Sequence, residues 1–295
     1  MEQITTLLDR NSTGNPAVLP EELKRLYNGD LQFPAREDRP YVAGNFVSSI
    51  DGVVSFEIPR KSGGGEISGF NKGDRFIMGL LRASADAVLV GSGTLRDTPS
   101  KHLWIAEHTY PEARDLYARY RQGVLSKTPM PLNVIVSRSG KLDLQKAVFR
   151  TPGLKTLIVT SAEGKETLVK NGVGALESVQ VREVEGPAGR SSPQAILKLL
   201  RDEFGVKMLL HEGGPGFFGE FVAEGCMDEL FLTVAPQLIG RDEKGQRPGV
   251  LAGVGFLPDT APWLTLASVK QSGSHLYLRY ARLDLRYARL ANRPG

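Results

Sequence analysis

Residues Met208–Gly240, MLLHEGGPGFFGEFVAEGCMDELFLTVAPQLIG, constrain the fold more than any other stretch of the chain. An apolar run, Met208–Leu210, meets His211 and Glu212 and then two glycines. Pro215 opens a helix-like segment, and a second apolar run, Glu229–Ala235, follows. Strand, glycine turn, helix and strand within about thirty residues is the size of one βαβ unit. Proline suits the first helical position, where its missing N–H is not needed. Glycines ahead of a helix let a bound group approach the backbone, and the free N–H groups there favour an anion. The ionisable Glu212 set against that turn marks a site rather than scaffolding alone.

The same alternation runs through most of the chain. Strands are expected at 41–50 (continuing through 53–58), 87–90, 132–136, 156–159, 179–184 and 208–210. Helices are expected over 73–85, 111–123 and 193–204, with Phe76, Ile77, Leu80 and Leu81 on one face of the first. Alternating strands and helices imply an α/β fold in three layers, a largely parallel sheet with helices on both faces. The last two strands, 264–270 and 275–285, with Ser-Gly-Ser between them, read as antiparallel. Residues 1–40 read as an N-terminal extension with a short helix over 19–28, joined by PAREDRP (34–40) to the main domain. RYARL occurs at 279–283 and again at 286–290, too short a repetition for a repeat architecture.

Four apolar runs end in small polar residues: VGSGT at 90–94, VSRSG at 136–140, VTS at 159–161 and HEGGP at 211–215. In an open α/β sheet, ligands bind beyond the carboxyl ends of the strands. Four such ends on one edge present many backbone N–H groups, suited to a diphosphate. The three-glycine dinucleotide fingerprint is absent, and no lysine follows in the phosphate-loop pattern. Arg138, after a strand, is either a solvated loop arginine or the partner of a ribose 2′-phosphate that selects NADP over NAD. Asn45, Ser49 and Asp51 alternate along one strand and share a face. Their apolar neighbours Ala43, Phe46, Val47 and Ile50 favour a pocket over solvent.

Several chemistries are disfavoured. The histidines (102, 108, 211 and 275) lack ligand spacing, so no metal site is expected, and no G-x-S-x-G nucleophile elbow appears. Cys226 is the only cysteine, expected as a buried apolar filler, and Trp104 and Trp263 as packing residues. A net charge of +4 from scattered basic residues points to a small anionic ligand rather than to nucleic acid. No segment reads as a secretory signal or a membrane span, so a cytoplasmic enzyme is the expectation.

Taken together, NFVSSIDGVVS (45–55), GGEISG (64–69), LLRASADAVLVGSGT (80–94), PLNVIVSRSG (131–140), LIVTS (157–161) and the 209–240 segment follow one family's order. The chain resembles the reductase domain of the riboflavin-biosynthesis deaminase–reductases and their stand-alone relatives, which share the dihydrofolate reductase-like fold. One domain over 41–290 follows from this. The zinc motif of a deaminase half cannot be drawn from one cysteine.

The resemblance implies an NADPH-dependent reduction in which the ribosyl group of 5-amino-6-(5-phosphoribosylamino)uracil becomes a ribityl chain. It implies that Gly91, Gly93 and Thr94 cradle the cofactor diphosphate, with Gly213, Gly214 and Pro215 completing the site. Ser137, Arg138, Thr160 and Ser161 line the adenosine side. Asn45, Ser49, Asp51, Ser68, Arg82 and Glu212 face the pyrimidine and its ribose phosphate, with Asp51 and Glu212 the candidates for proton delivery. A homodimer is implied as well.

One stretch departs from the family. In LRDTPSKHLW (95–104) the usual acidic pair is reduced to Asp97 and the later arginine that holds the substrate phosphate is missing, with Lys101 or His102 nearest to a substitute. Two other readings therefore stay open. One is an NADPH reductase of another pterin-like or carbonyl substrate such as dihydrofolate. The other is a nucleotide-binding protein that kept the fold without catalysis.

Overall fold

The computed structural model describes residues 1–10, 18–58, 61, 63–186, 192–242 and 247–282. Its regular elements run β1 (Thr5–Asp9), α1 (Glu21–Tyr27), β2 (Tyr41–Ser49), α2 (Gly64–Ser68), α3 (Lys72–Ser84), β3 (Ala87–Gly91) and α4 (Ser92–Asp97). Next come α5 (Ala106–Thr109), α6 (Arg114–Ala118), β4 (Leu132–Val136), β5 (Thr156–Thr160), α7 (Ala162–Lys170) and β6 (Val179–Glu183). The chain continues through α8 (Pro193–Phe204), β7 (Met208–His211), α9 (Pro215–Ala223), β8 (Glu229–Ala235), β9 (Leu264–Ser272) and β10 (His275–Arg282).

The strands form one sheet in the order β1-β9-β10-β8-β2-β7-β3-β4-β5-β6. From β8 to β6 neighbouring strands are parallel, whereas β10, β9 and β1 add antiparallel pairs. Alternate residues of the parallel strands feed two cores. Val88, Val90, Ile135 and Ile158 pack with Phe76 and Leu80 of α3 and Leu168 of α7. Ala87, Leu89, Val134, Leu157 and Val159 pack with Ile196, Leu197 and Leu200 of α8 and Phe221 of α9. Both faces of these strands are covered, which is why they read as continuous apolar runs. Burial of each large aliphatic side chain contributes about 1.5–3 kcal/mol. Asn71 caps α3 by accepting the Asp74 N–H at 2.9 Å, a cap of about 1 kcal/mol.

Four expectations need correction. Residues 53–58 are not strand; the chain turns back after β2, and the Ser49 N–H donates to the Val53 carbonyl at 2.9 Å. Lys61–Gly65 reads in the sequence as a glycine-rich loop, whereas Gly64–Ser68 form the short helix α2. The 111–123 segment is α6 flanked by short 3-10 and π turns. It is less polar in effect than in composition, because Tyr117 and Tyr120 are buried in the core and the Tyr117 hydroxyl donates to the Phe76 carbonyl. Trp104 is buried, but Trp263 is 62% exposed.

The first forty residues pack on the body of the fold. β1 pairs with β9 as the edge strand, and Ile4, Leu19, Leu23, Tyr27 and Leu31 belong to the core that also holds α3. Two buried cations fasten this segment. Lys270 Nζ donates to Thr6 Oγ1 and to the Asn28 carbonyl, and Arg279 reaches the Gln32 carbonyl while pairing with Glu229. The second copy of RYARL lies outside the described residues.

The register sets up the site. β7 pairs with β2 only as far as Gly44–His211, while β2 runs on beside β8 to Ser49. On its other side β7 ends against Leu89 of β3, two residues before Gly91. β7 therefore stops short, and Glu212–Pro215 lies in a notch flanked by β2 and β3.

Candidate active site

The notch is shaped by close packing. His211 is fully buried among Phe217, Phe218 and Phe221, and its Nδ1 accepts the Gly213 N–H at 3.2 Å. Burial pushes its imidazole down to about 3, so the ring is neutral at physiological pH and serves as a template for the turn. A Cβ at Gly213 would lie 2.8 Å from both His211 Cε1 and Phe217 Cδ1. Only glycine fits there without displacing a ring.

Glu212 continues the pairing of β7, donating its N–H to the Leu89 carbonyl. Its carboxylate meets Arg82 of α3 through contacts of 3.1 and 3.2 Å from Nε and 2.7 Å from Nη2. The two side chains are 8% and 2% exposed. Arg82 Nη1 also donates to the carbonyls of Leu103 and Ile105 and to Thr109 Oγ1. The two residues expected to face the substrate are brought together, but onto each other. Arg82 has no guanidinium face left at the surface, while Glu212 keeps lone pairs for further donors.

At the end of β2 the expectations divide. Asn45 is half-buried and its side-chain amide makes no hydrogen bond with the described residues. Ser49 donates to Asp51 at 2.6 Å, and Asp51 also accepts the N–H groups of Ile239 and Gly240. Led by the Ser49 hydroxyl, these bonds hold the Asp51 carboxyl down at about 2. It straps the β2 turn to the loop after β8. Ser68 is buried at the end of α2, and its carbonyl is met by His275 Nε2 at 3.0 Å. Beside it lies the buried Asp74, bonded to Ser68 and Thr233, its carboxyl raised chiefly by burial. Lys101 is exposed. His102, whose ring meets those of Trp104 and His108, is pushed down to about 2 by burial and by Arg82, so it supplies no charge for a phosphate.

Across the notch, the ends of β3, β4 and β5 bring the glycine and hydroxyl motifs onto one edge. Thr94 Oγ1 lies 3.7 Å from where a Gly214 Cβ would be, so the GSGT and GGP turns face each other. Thr160 Oγ1 donates to the Ser137 carbonyl at 2.6 Å, and Ser161 Oγ donates to the Arg138 carbonyl while capping α7 through the Gly164 N–H. These two hydroxyls hold the loop rather than facing outward. Ser137 Oγ is buried with no partner, and the exposed Arg138 has no ion-pair partner among the described residues. Sequence reading missed Gly140 and Gly164, whose backbones meet so closely that a Cβ on either would collide with the other segment. It also missed Lys146, buried behind α4. A glycine cradle, an orphaned hydroxyl and a free arginine fit a nicotinamide dinucleotide. The described residues contain no group of three or more His, Cys, Asp or Glu side chains able to hold a metal. No described helix is long and apolar enough to cross a membrane.

The sequence profile of the RibD C-terminal domain matches residues 40–278. The chain is 30% identical over 220 residues to the 2,5-diamino-6-ribosylamino-4(3H)-pyrimidinone 5′-phosphate reductase of Archaeoglobus fulgidus, across 74% of this chain and 89% of that protein. It is 26% identical over 223 residues to the riboflavin biosynthesis protein RibD of Aquifex aeolicus, spanning 53% of that protein's length. A pyrimidine reductase-like protein from Corynebacterium diphtheriae has the same fold, with a TM-score of 0.62 at 19% identity, covering 84% of this chain and 93% of that one.

Proposed function

The chain belongs to the RibD C-terminal domain family, and from that premise we propose that it is an NADPH-dependent reductase of a phosphorylated ribosylaminopyrimidine in riboflavin biosynthesis. The observation that carries this reading is the single edge on which Gly91–Thr94, Ser137–Arg138 and Glu212–Pro215 meet, with Asn45 on the far side of the notch. NADPH would supply the hydride that reduces C1 of the sugar, and with one proton from solvent the opened ribosyl ring becomes the ribityl chain. Gly91, Gly93, Thr94, Gly213, Gly214 and Pro215 would hold its diphosphate. Ser137 and Arg138 would take the adenosine ribose, Arg138 meeting the 2′-phosphate as a charge-assisted pair. Thr160 and Ser161 shape that side through the carbonyls they bind.

Glu212, fixed by Arg82, accepts N–H groups of the pyrimidine, and Asn45 supplies an amide that both donates and accepts. Lys101, exposed in the 95–104 stretch, would be the cation for the substrate phosphate. The rigid notch holds C1 against the donor, and such positioning is worth several kcal/mol of barrier. We also propose a cytoplasmic homodimer, which sedimentation of the purified protein tests: a single-chain mass contradicts the dimer.

Two pyrimidines fit the proposal. One is 5-amino-6-(5-phosphoribosylamino)uracil. The other is the 2,5-diamino-pyrimidinone for which the Archaeoglobus relative is named. It carries one more amino group for Glu212 to accept from, a difference that favours it. Parallel assays with both under NADPH separate them, and oxidation of NADPH by dihydrofolate alone would replace both with a pterin reductase.

A further inference from the structure

Lys146 stands in the connection between β4 and β5, outside every motif that points to a ligand. It is 7% exposed, and no carboxylate among the described residues pairs with it. Its ammonium donates to the Leu95 carbonyl at 2.6 Å, the Thr98 carbonyl at 2.7 Å and, more weakly, the Arg96 carbonyl at 3.5 Å. These are carbonyls at the end of α4, left without helical partners as at any helix C-terminus. The next residue, Ala147, donates its N–H to the Ser100 carbonyl at 2.8 Å. One lysine thus ties the segment that begins with Gly93 and Thr94 to the connection that begins with Ser137 and Arg138.

A second buried cation gives the comparison. Arg121 donates to the carbonyls of Ala83 and Ala85 at the end of α3, before β3 begins and therefore at the opposite edge of the sheet. The chemistry is the same, but there it is remote from the notch. A buried charge held only by neutral acceptors carries a desolvation penalty, so each cation must return something by fixing the backbone it holds. For Arg121 that return is stability of the fold.

We propose that Lys146 is a positioning residue for the cofactor: by holding the carbonyl end of α4 it fixes Gly93 and Thr94 against the Gly213–Gly214 turn. This rests on the reading of that edge as the NADPH site. The test uses the full chain and its K146M, K146R and R121M variants, with NADPH affinity read from nicotinamide fluorescence and thermal midpoints read without ligand. K146M is expected to weaken NADPH binding by about tenfold or more, the scale of lost hydrogen bonds to a charged donor, with the KM for the pyrimidine nearly unchanged. K146R, which keeps charge and donors, is expected to recover part of the affinity. R121M is expected to lower the midpoint and leave NADPH affinity within about twofold. Unchanged affinity in K146M, or an equal loss in R121M, overturns the proposal. Failure of the wild-type protein to bind NADPH overturns instead the reading of the edge on which it rests.

Discussion

The two sides of the notch treat their polar groups differently. Toward β3, β4 and β5, the hydroxyls of Thr160 and Ser161 lock the loops from behind, and Arg138 is left exposed with no ion-pair partner among the described residues. Toward β2 and α3, the groups expected to meet a substrate are bound within the chain: Glu212 to Arg82, Asp51 to Ser49 and the 239–240 backbone, Ser68 to its neighbours. Asn45 is left on that side. The first side is a preformed surface made of backbone. The second is a network of side chains that hold one another.

That difference can be broken by mutation. The largest effect is expected for Glu212→Ala, which strands the buried Arg82 charge. A stability loss of about 3–5 kcal/mol is expected, measured by denaturant unfolding; a variant as stable as the wild type would show that the pair does not hold the notch. Arg138→Gln is expected to leave stability alone and to erase roughly tenfold or more of the preference for NADPH over NADH, seen in kcat/KM for the two cofactors. An undiminished preference would move the 2′-phosphate elsewhere.

Asn45→Ala sharpens the contrast inside the second side. With no internal bond to lose, its unfolding free energy should stay within about 0.5 kcal/mol, while KM for the pyrimidine rises severalfold. A stability loss without a KM change would make Asn45 structural.

The smallest effect is pH-dependent. The Asp51 carboxyl is held down at about 2, against 3.8 unperturbed. Its contribution to stability is therefore complete above the unfolded value and lost as pH falls through about 2. Acid titration of unfolding should be shallower between those values in Asp51→Asn than in the wild type; identical curves would mean that the strap does not couple to folding.

The same contrast explains what the sequence disclosed. GSGT, SRSG and HEGGP were legible because each is local: a strand end, a glycine, a small polar residue. Their meeting on one edge follows from parallel strands alone. The other side depends on pairs far apart in the chain, Arg82 with Glu212 across 130 residues and Asp51 with Gly240 across 189, and no spacing rule links them. Residue types alone therefore could not show which of these side chains bind one another. The helix α2 hid behind adjacent glycines, which cost about 1 kcal/mol each in a helix and so read as loop. The packing of the first forty residues hid because it rests on Lys270 and Arg279, more than 200 residues away.

The most direct test is steady-state NADPH oxidation by the purified full-length protein, with each of the two phosphorylated ribosylaminopyrimidines and with dihydrofolate. Turnover of a ribosylaminopyrimidine to its ribityl product, with NADPH preferred over NADH and dihydrofolate inert, is the predicted result. NADPH binding with no hydride transfer to either pyrimidine would contradict it.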